Sequence, residues 1–218
     1  MNDYVRVLEF YCNIPESIVA RIIFVENSES DLSPLRDVVA RAKASNRVEF
    51  LSFNGLDHPS SYGRGYGEFK LLDHAVDHSP TLAVAPSSSV LWKITGRYRV
   101  LNLTRIIRGA PTDFELYCDT RKWPIPWVDL RIFGSSIGGY RKLLKGIYPQ
   151  LNETVINMAP EQYLFSSIRE LARSQKIVTR FNNEPLVDGI RGKDSQNYAS
   201  GLNYIKYLVR SSKRMISY

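Results

Sequence analysis

Lys93, Thr95, Gly96 and Arg97 close an apolar run that begins at Val90 and continues through Tyr98 and Arg99. Such a run forms a strand. Its end then carries fixed positive charge beside a conformationally permissive glycine. In α/β proteins ligands bind in the crevice beyond the carboxyl ends of the strands, so a cationic strand end there suits an anion such as a phosphate. The competing reading is a strand edge with solvated charges. Gly63-Arg64-Gly65-Tyr66-Gly67-Glu68 suggests the same ligand from a second element. Glycines let a backbone approach an anion, and a following helix offers free N–H groups. The spacing is neither a P-loop nor GxGxxG, and a flexible helix-entry loop accounts for the same composition.

Glu26-Asn27-Ser28 follows a buried apolar run directly. A strand-end carboxylate and amide read a ribose or base by hydrogen bonding; a turn or helix cap uses the same residues. Asp119 and Arg121 follow one candidate strand, and Asp129 and Arg131 sit on the next. Asp119 is a candidate for a metal or sugar hydroxyl, and an Asp–Arg ion pair is the plainer reading. Glu161 falls in the first turn of a helix opening at Pro160, where the macrodipole favours a carboxylate and where a general base is an equal possibility. Arg191 and Lys193 lie in the Gly-bearing loop after Gly189, which is either a lid over a diphosphate or an ordinary surface loop.

Hydrophobic periodicity indicates the elements that position these residues. Residues 2–12 read as a helix, with Val5, Leu8 and Cys12 on one face and Ile14-Pro15 ending it. Residues 20–25 and 48–53 read as buried strands. Between them a helix starts at Ser33 as N-cap, with Pro34 in the first turn and Leu35, Val38, Val39 and Ala42 inward. A Gly/Ser/Pro loop covers 54–65, a helix 66–78 (Phe69, Leu72, Val76), turns 79–89 and a strand 90–95. This β-α-β-α-β alternation predicts a parallel sheet flanked by helices. Beyond it, 113–118 and 128–133 read as strands around a Pro-rich turn at 122–127. Residues 136–147 and 160–174 read as helices, 176–180 as a strand, 184–195 as a loop and 197–212 as a last helix. A sheet of this class normally opens with a strand, whereas this sequence opens with a helix. The expectation is that a strand and loop are missing ahead of it.

At 218 residues the chain suits one domain, here divided into a nucleotide-binding half (1–110) and an acceptor-side half (111–218). No apolar run approaches the ~20 residues of a membrane span, and no signal-peptide pattern opens the sequence. Cys12 and Cys118 are far apart and read as reduced, which fits a cytosol. His74 and His78 share helical spacing but lack a third ligand, so no metal site is expected. The net charge of +7 favours nucleotides, nucleic acid or an anionic membrane. Part of it lies in Lys206, Arg210, Lys213 and Arg214, interleaved with Tyr204, Tyr207, Leu208 and Val209. That pattern is either a solvated helix face or a membrane-surface contact.

The ordered set Ile22-Ile23-Phe24-Val25-Glu26-Asn27-Ser28, Gly63-Arg64-Gly65-Tyr66-Gly67-Glu68 and Lys93-Ile94-Thr95-Gly96-Arg97-Tyr98, with the 184–198 segment, resembles bacterial glycosyltransferases of capsule or lipopolysaccharide synthesis with the GT-A fold. The resemblance implies a nucleotide sugar lying across the strand ends. Glu26 and Asn27 would then contact base or ribose, and Arg64, Gly65 and Gly67 the nucleotide sugar. Many members place a metal-binding Asp-x-Asp where this chain has Thr95-Gly96-Arg97. The expectation is therefore that Lys93 and Arg97, helped by Arg191 or Lys193, neutralise the leaving diphosphate in place of Mg²⁺ or Mn²⁺, with no cofactor. Glu161 is the expected base and Asp119 a second catalytic candidate. The expected acceptor is a surface polysaccharide or lipid-linked glycan, at a cytoplasmic site peripheral to the inner membrane. Two rivals remain: an inactive, truncated remnant of such an enzyme, and a basic nucleic-acid-binding module. The second lacks any RRM, KH or zinc pattern.

Overall fold

The structure, a computed structural model, describes residues 2–189 and 201–215. Its first half runs α1 (Asn2–Cys12), β1 (Ile22–Glu26), α2 (Ser33–Arg41), β2 (Val48–Ser52), α3 (Gly63–His78), α4 (Pro80–Val84), β3 (Val90–Ile94), β4 (Arg99–Val100) and α5 (Leu103–Arg108). The second runs β5 (Leu116–Tyr117), β6 (Thr120–Arg121), β7 (Trp127–Val128), β8 (Ile132–Ser136), α6 (Ile137–Leu143), α7 (Glu153–Ile156), α8 (Pro160–Leu171), β9 (Ile177–Val178), β10 (Val187–Asp188) and α9 (Gly201–Met215).

The expected β-α-β-α-β order is present, with α4 added inside the turn-rich 79–89 segment. α1 buries Leu8 and Cys12 with Val5 half-buried against the same cluster, and it buries Val7 as well. Ser33 is the first helical residue of α2 rather than its cap. The N-cap position is Leu32, which offers no side-chain cap; just before it Asp31 Oδ1 accepts from the Ser33 N–H (2.9 Å) and hydroxyl (2.7 Å). α3 begins at Gly63, whose φ of 87° suits a residue without a Cβ.

The mostly parallel sheet is not what forms. β1 and β2 make a parallel pair in register Ile22↔Val48 to Glu26↔Ser52. β3, β8, β5 and β9 make a separate four-stranded sheet in that order, with β3–β8 and β8–β5 antiparallel and β5–β9 parallel. The residues between β5 and β8 form the β6–β7 hairpin rather than a crossover helix, so β8 returns antiparallel to β5.

Two apolar layers sandwich the β1–β2 pair. Ile22, Phe24, Val48 and Phe50 pack with Leu8, Leu35 and Val39 of α1 and α2. Ile23 points the other way, into a cluster with Leu72 and Val76 of α3. That cluster also holds Phe69, Phe133, Tyr140 and Leu164, so the core crosses position 110. Buried Asp73 of α3 accepts from the Tyr140 hydroxyl (2.8 Å) and the Gly146 N–H (2.9 Å), which satisfies its two oxygens.

Candidate functional site

A cleft of about 2230 Å³ runs along β1 and β3 and takes in the residues at their carboxyl ends. Every sequence-derived site residue among the described ones lines it: Glu26, Asn27, Arg64, Gly65, Gly67, Lys93, Thr95, Gly96, Arg97, Asp119 and Glu161. Arg191 and Lys193 lie outside the described residues. Convergence in one cleft does not give these residues one role, and their hydrogen bonds divide them.

Lys93 does not reach for a ligand. Its side chain is only 5% exposed. Its ammonium donates to Glu68 Oε2 (3.0 Å), Thr95 Oγ1 (2.8 Å) and the Leu130 carbonyl. An ammonium has three donors, and all three are in use. Glu68 Oε1 accepts from the Thr95 hydroxyl at 2.9 Å, so the trio ties the start of α3 to the end of β3.

Arg97 differs. It is exposed at the strand end, where its Nε donates to the Tyr4 hydroxyl (3.1 Å) and its guanidinium lies 5.7 Å from the Tyr4 ring centroid. The two terminal nitrogens of this fork have no partner among the described residues. Arg64 and Arg180 are also exposed, line the same cleft and have no ionic partner among the described residues.

Packing explains Gly65 and bears on Gly96, but not on Gly67. A Cβ on Gly65 would sit 2.4 Å from Pro160 Cγ, so this residue lets α3 approach α8. A Cβ on Gly96 would sit 3.2 Å from the Tyr4 ring, and one on Gly67 would make ordinary contact with His58. Glu26 orders the loop behind β1: its carboxylate accepts from the Ser28 N–H (2.7 Å), the Ser28 hydroxyl and the Ser30 N–H (3.2 Å). Asn27 accepts the Gly55 N–H on its carbonyl at 2.9 Å.

Among the acids, Glu161 stands apart. It sits in the first turn of α8 and lines the cleft. Burial, reinforced by Glu68, Asp129 and Glu153, raises its carboxyl above the usual carboxylate range. No cation pairs with it among the described residues. Asp119, by contrast, is held by Arg214 (2.7 Å) and by the Phe181 N–H (3.2 Å). Asp129 accepts from Arg131 Nε (2.9 Å) and Nη2 (2.5 Å). Burial works against its ionisation, yet the Arg131 pair holds it below its ordinary value. The plainer ion-pair reading therefore describes both aspartates.

The sequence marks Arg214 only as part of a basic helix face and gives Glu184 no site role. Arg214 bridges Asp119 and Glu184 (2.5 Å) and donates to the Phe181 carbonyl. Arg210 reaches Glu184 from one turn earlier (3.4 Å). Arg214 is thus enclosed in the cleft, whereas Arg210 stays on the exposed side of α9 with only its tip reaching Glu184. Nothing local marks these contacts, because Arg214 and Asp119 lie 95 positions apart. The exposed side of α9 carries Tyr204, Ile205, Leu208 and Val209.

His74 stacks between Phe53 (3.7 Å) and His78 (4.1 Å), in keeping with a helix-face role. Among the described residues no three His, Cys, Asp or Glu are placed to hold a metal ion, and no helix is long and apolar enough to cross a membrane. No family model, curated protein or solved structure matches this chain.

Proposed function

We propose that this chain is a glycosyltransferase of the GT-A type, moving a sugar from a nucleotide-sugar donor to a surface-polysaccharide or lipid-linked glycan. The observation that carries the reading is the strand-end cleft itself. It brings exposed arginines without ionic partners among the described residues, Arg64, Arg97 and Arg180 among them, to the same cleft as Glu161, a carboxyl of raised pKa with no cation beside it there. Arg97, Arg64 and Arg180 supply positive charge for a diphosphate. Arg97 keeps a planar two-donor fork, which matches phosphate oxygens. Glu161 accepts the proton of the acceptor hydroxyl as that oxygen bonds to the anomeric carbon. The bond from that carbon to the phosphate oxygen breaks, and the diphosphate leaves with the electron pair. Its growing charge falls to the arginines.

The test is thermal denaturation against UDP, GDP, CDP and ADP, with and without Mn²⁺. One nucleotide should raise the melting temperature, by about 5–10 °C at a hundredfold excess over its dissociation constant. Arg97→Ala should weaken that nucleotide at least about tenfold, since it removes a charge-assisted hydrogen-bonding group, and should move the ligand-free melting temperature by about 1 °C or less. Equal affinity in the variant overturns the role of Arg97. Silence with all four nucleotides overturns the donor site and points to a fold without turnover. A response that collapses between 50 and 200 mM salt indicates nucleic-acid binding instead.

The apolar stripe of α9 favours an acceptor presented at a membrane. Apolar residues beside arginines suit an anionic interface. Sedimentation with anionic vesicles should bring the protein down, and Leu208→Glu should cut the bound fraction several-fold. Equal pelleting of both proteins would remove the membrane from the proposal.

A further inference from the structure

β1 and β3 each leave one edge open, and both edges face the same cleft. Among the described residues β1 pairs with β2 alone and β3 with β8 alone. The Ile22 N–H donates to Arg47, and the Glu26 carbonyl accepts from Phe53. Ile22, Phe24 and Glu26 therefore use their backbone groups towards β2, and by the alternation of the pleat Ile23 and Val25 direct theirs away from it. On β3 the Thr95 N–H donates to Arg131 and the Ser89 carbonyl accepts from Ile137. The same alternation turns the backbone of Val90, Trp92 and Ile94 away from β8. All five residues line the cleft. These edge donors and acceptors have no partner among the described residues, so they form a seat for a chain that supplies both.

The walls say what kind of chain fits. One side is apolar through Leu8 and Leu35 of α1 and α2, the other through Leu72, Val76 and Leu82 of α3 and α4. A strand covered by helices on both faces is an unbroken apolar run, rich in Val and Ile. β1 and β3 are five residues each. At about 3.3 Å per residue, an occupant of five or six residues spans them.

The position of α1 says where that segment belongs. Tyr4, in its first turn, bonds Arg97 beyond the carboxyl end of β3 and packs edge-on against Phe24. Its other end reaches the opposite side, where the Cys12 and Ile14 carbonyls accept from Arg47. A strand ending at that carboxyl end and followed by α1 and β1 repeats the unit that β1, α2 and β2 already form, with the parallel pairing that a helical crossover permits. We infer that the cleft between β1 and β3 seats a further β-strand, an apolar extended segment parallel to β1 and joined ahead of Asn2. This inference rests on the strand edges, the apolar walls and the position of α1, and is independent of the glycosyltransferase reading.

The experiment fuses six alternating Val and Ile residues and a Gly-Asn turn ahead of Asn2. The control prefix has Pro at every second strand position, which removes donors while keeping length. The apolar prefix should raise the melting temperature by at least about 5 °C and slow hydrogen exchange at the Ile23, Val25, Trp92 and Ile94 amides at least about a hundredfold. The control should do neither. No rise and no protection with the apolar prefix overturns the inference, as does an equal effect of both prefixes. Protection of those amides before any prefix is added does so too, since the seat is then already filled. If the fusion is insoluble, the same segment with a lysine tail is added to the unmodified chain as a free peptide. Protection of the same four amides supports the seat, and unchanged exchange at millimolar peptide overturns it.

Discussion

Glu161→Gln should lower sugar transfer by about 10²- to 10⁴-fold, the usual contribution of a positioned general base, while the nucleoside-diphosphate shift in melting temperature stays as in the parent. Gln keeps the shape and the first-turn position of α8 but cannot take a proton. Glu161 lines the cleft without a cationic partner among the described residues, and its surroundings disfavour charge, first through burial and then through Glu68, Asp129 and Glu153. A base so perturbed is a stronger proton acceptor. Transfer by the parent should accordingly fall as pH drops through the raised pKa of Glu161, and the residual rate of the variant should lose that limb. A second readout tests the electrostatics without any substrate. Above the ordinary value of 4.5 and up to the raised one, the folded state binds more protons than the unfolded state, so stability falls as pH rises across that window. The variant lacks this decline and should melt higher than the parent at pH 7. Wild-type transfer in Glu161→Gln places the base elsewhere; a variant less stable at neutral pH contradicts the environment described for Glu161.

The parts legible in the sequence are those with local physical causes. The helical period of 160–171 and the β-branched run at 22–26 are written in neighbouring residues, so α8 and β1 are recognisable without the fold. The start of α2 shows how narrow that legibility is: Ser33 is a good cap by type, yet backbone geometry puts it inside the helix and leaves Leu32 at the cap position. Sheet order is less visible, because β5 to β7 are two residues each and too short for any periodicity to register. The site divides the same way. A cleft at the strand ends follows from the order of elements. Which charges are free follows from contacts across 25 to 95 positions, and no local pattern reports those.

Lys93 and Arg97 make that division measurable, since the sequence presents them as equals four residues apart. Lys93→Met should lower stability by about 3 kcal/mol, near the lower end of what breaking a buried ion pair costs. The lower end applies because Glu68 is 30% exposed and water can take over part of its solvation. For a chain of this size that is a melting temperature lower by roughly 6–12 °C. The loss has a specific origin: the Leu130 carbonyl and Glu68 give up a shared donor, and the thioether offers none in return. Adding Glu68→Gln should recover part of the loss, because the charge left without its partner disappears. The two substitutions are then non-additive, as expected for groups in contact. Arg97→Ala should show the opposite profile, with weakened nucleotide binding and unchanged melting. If Lys93→Met instead melts with the parent and loses the nucleotide response, the ammonium serves the ligand and the Glu68–Lys93–Thr95 trio is not what secures α3 to β3.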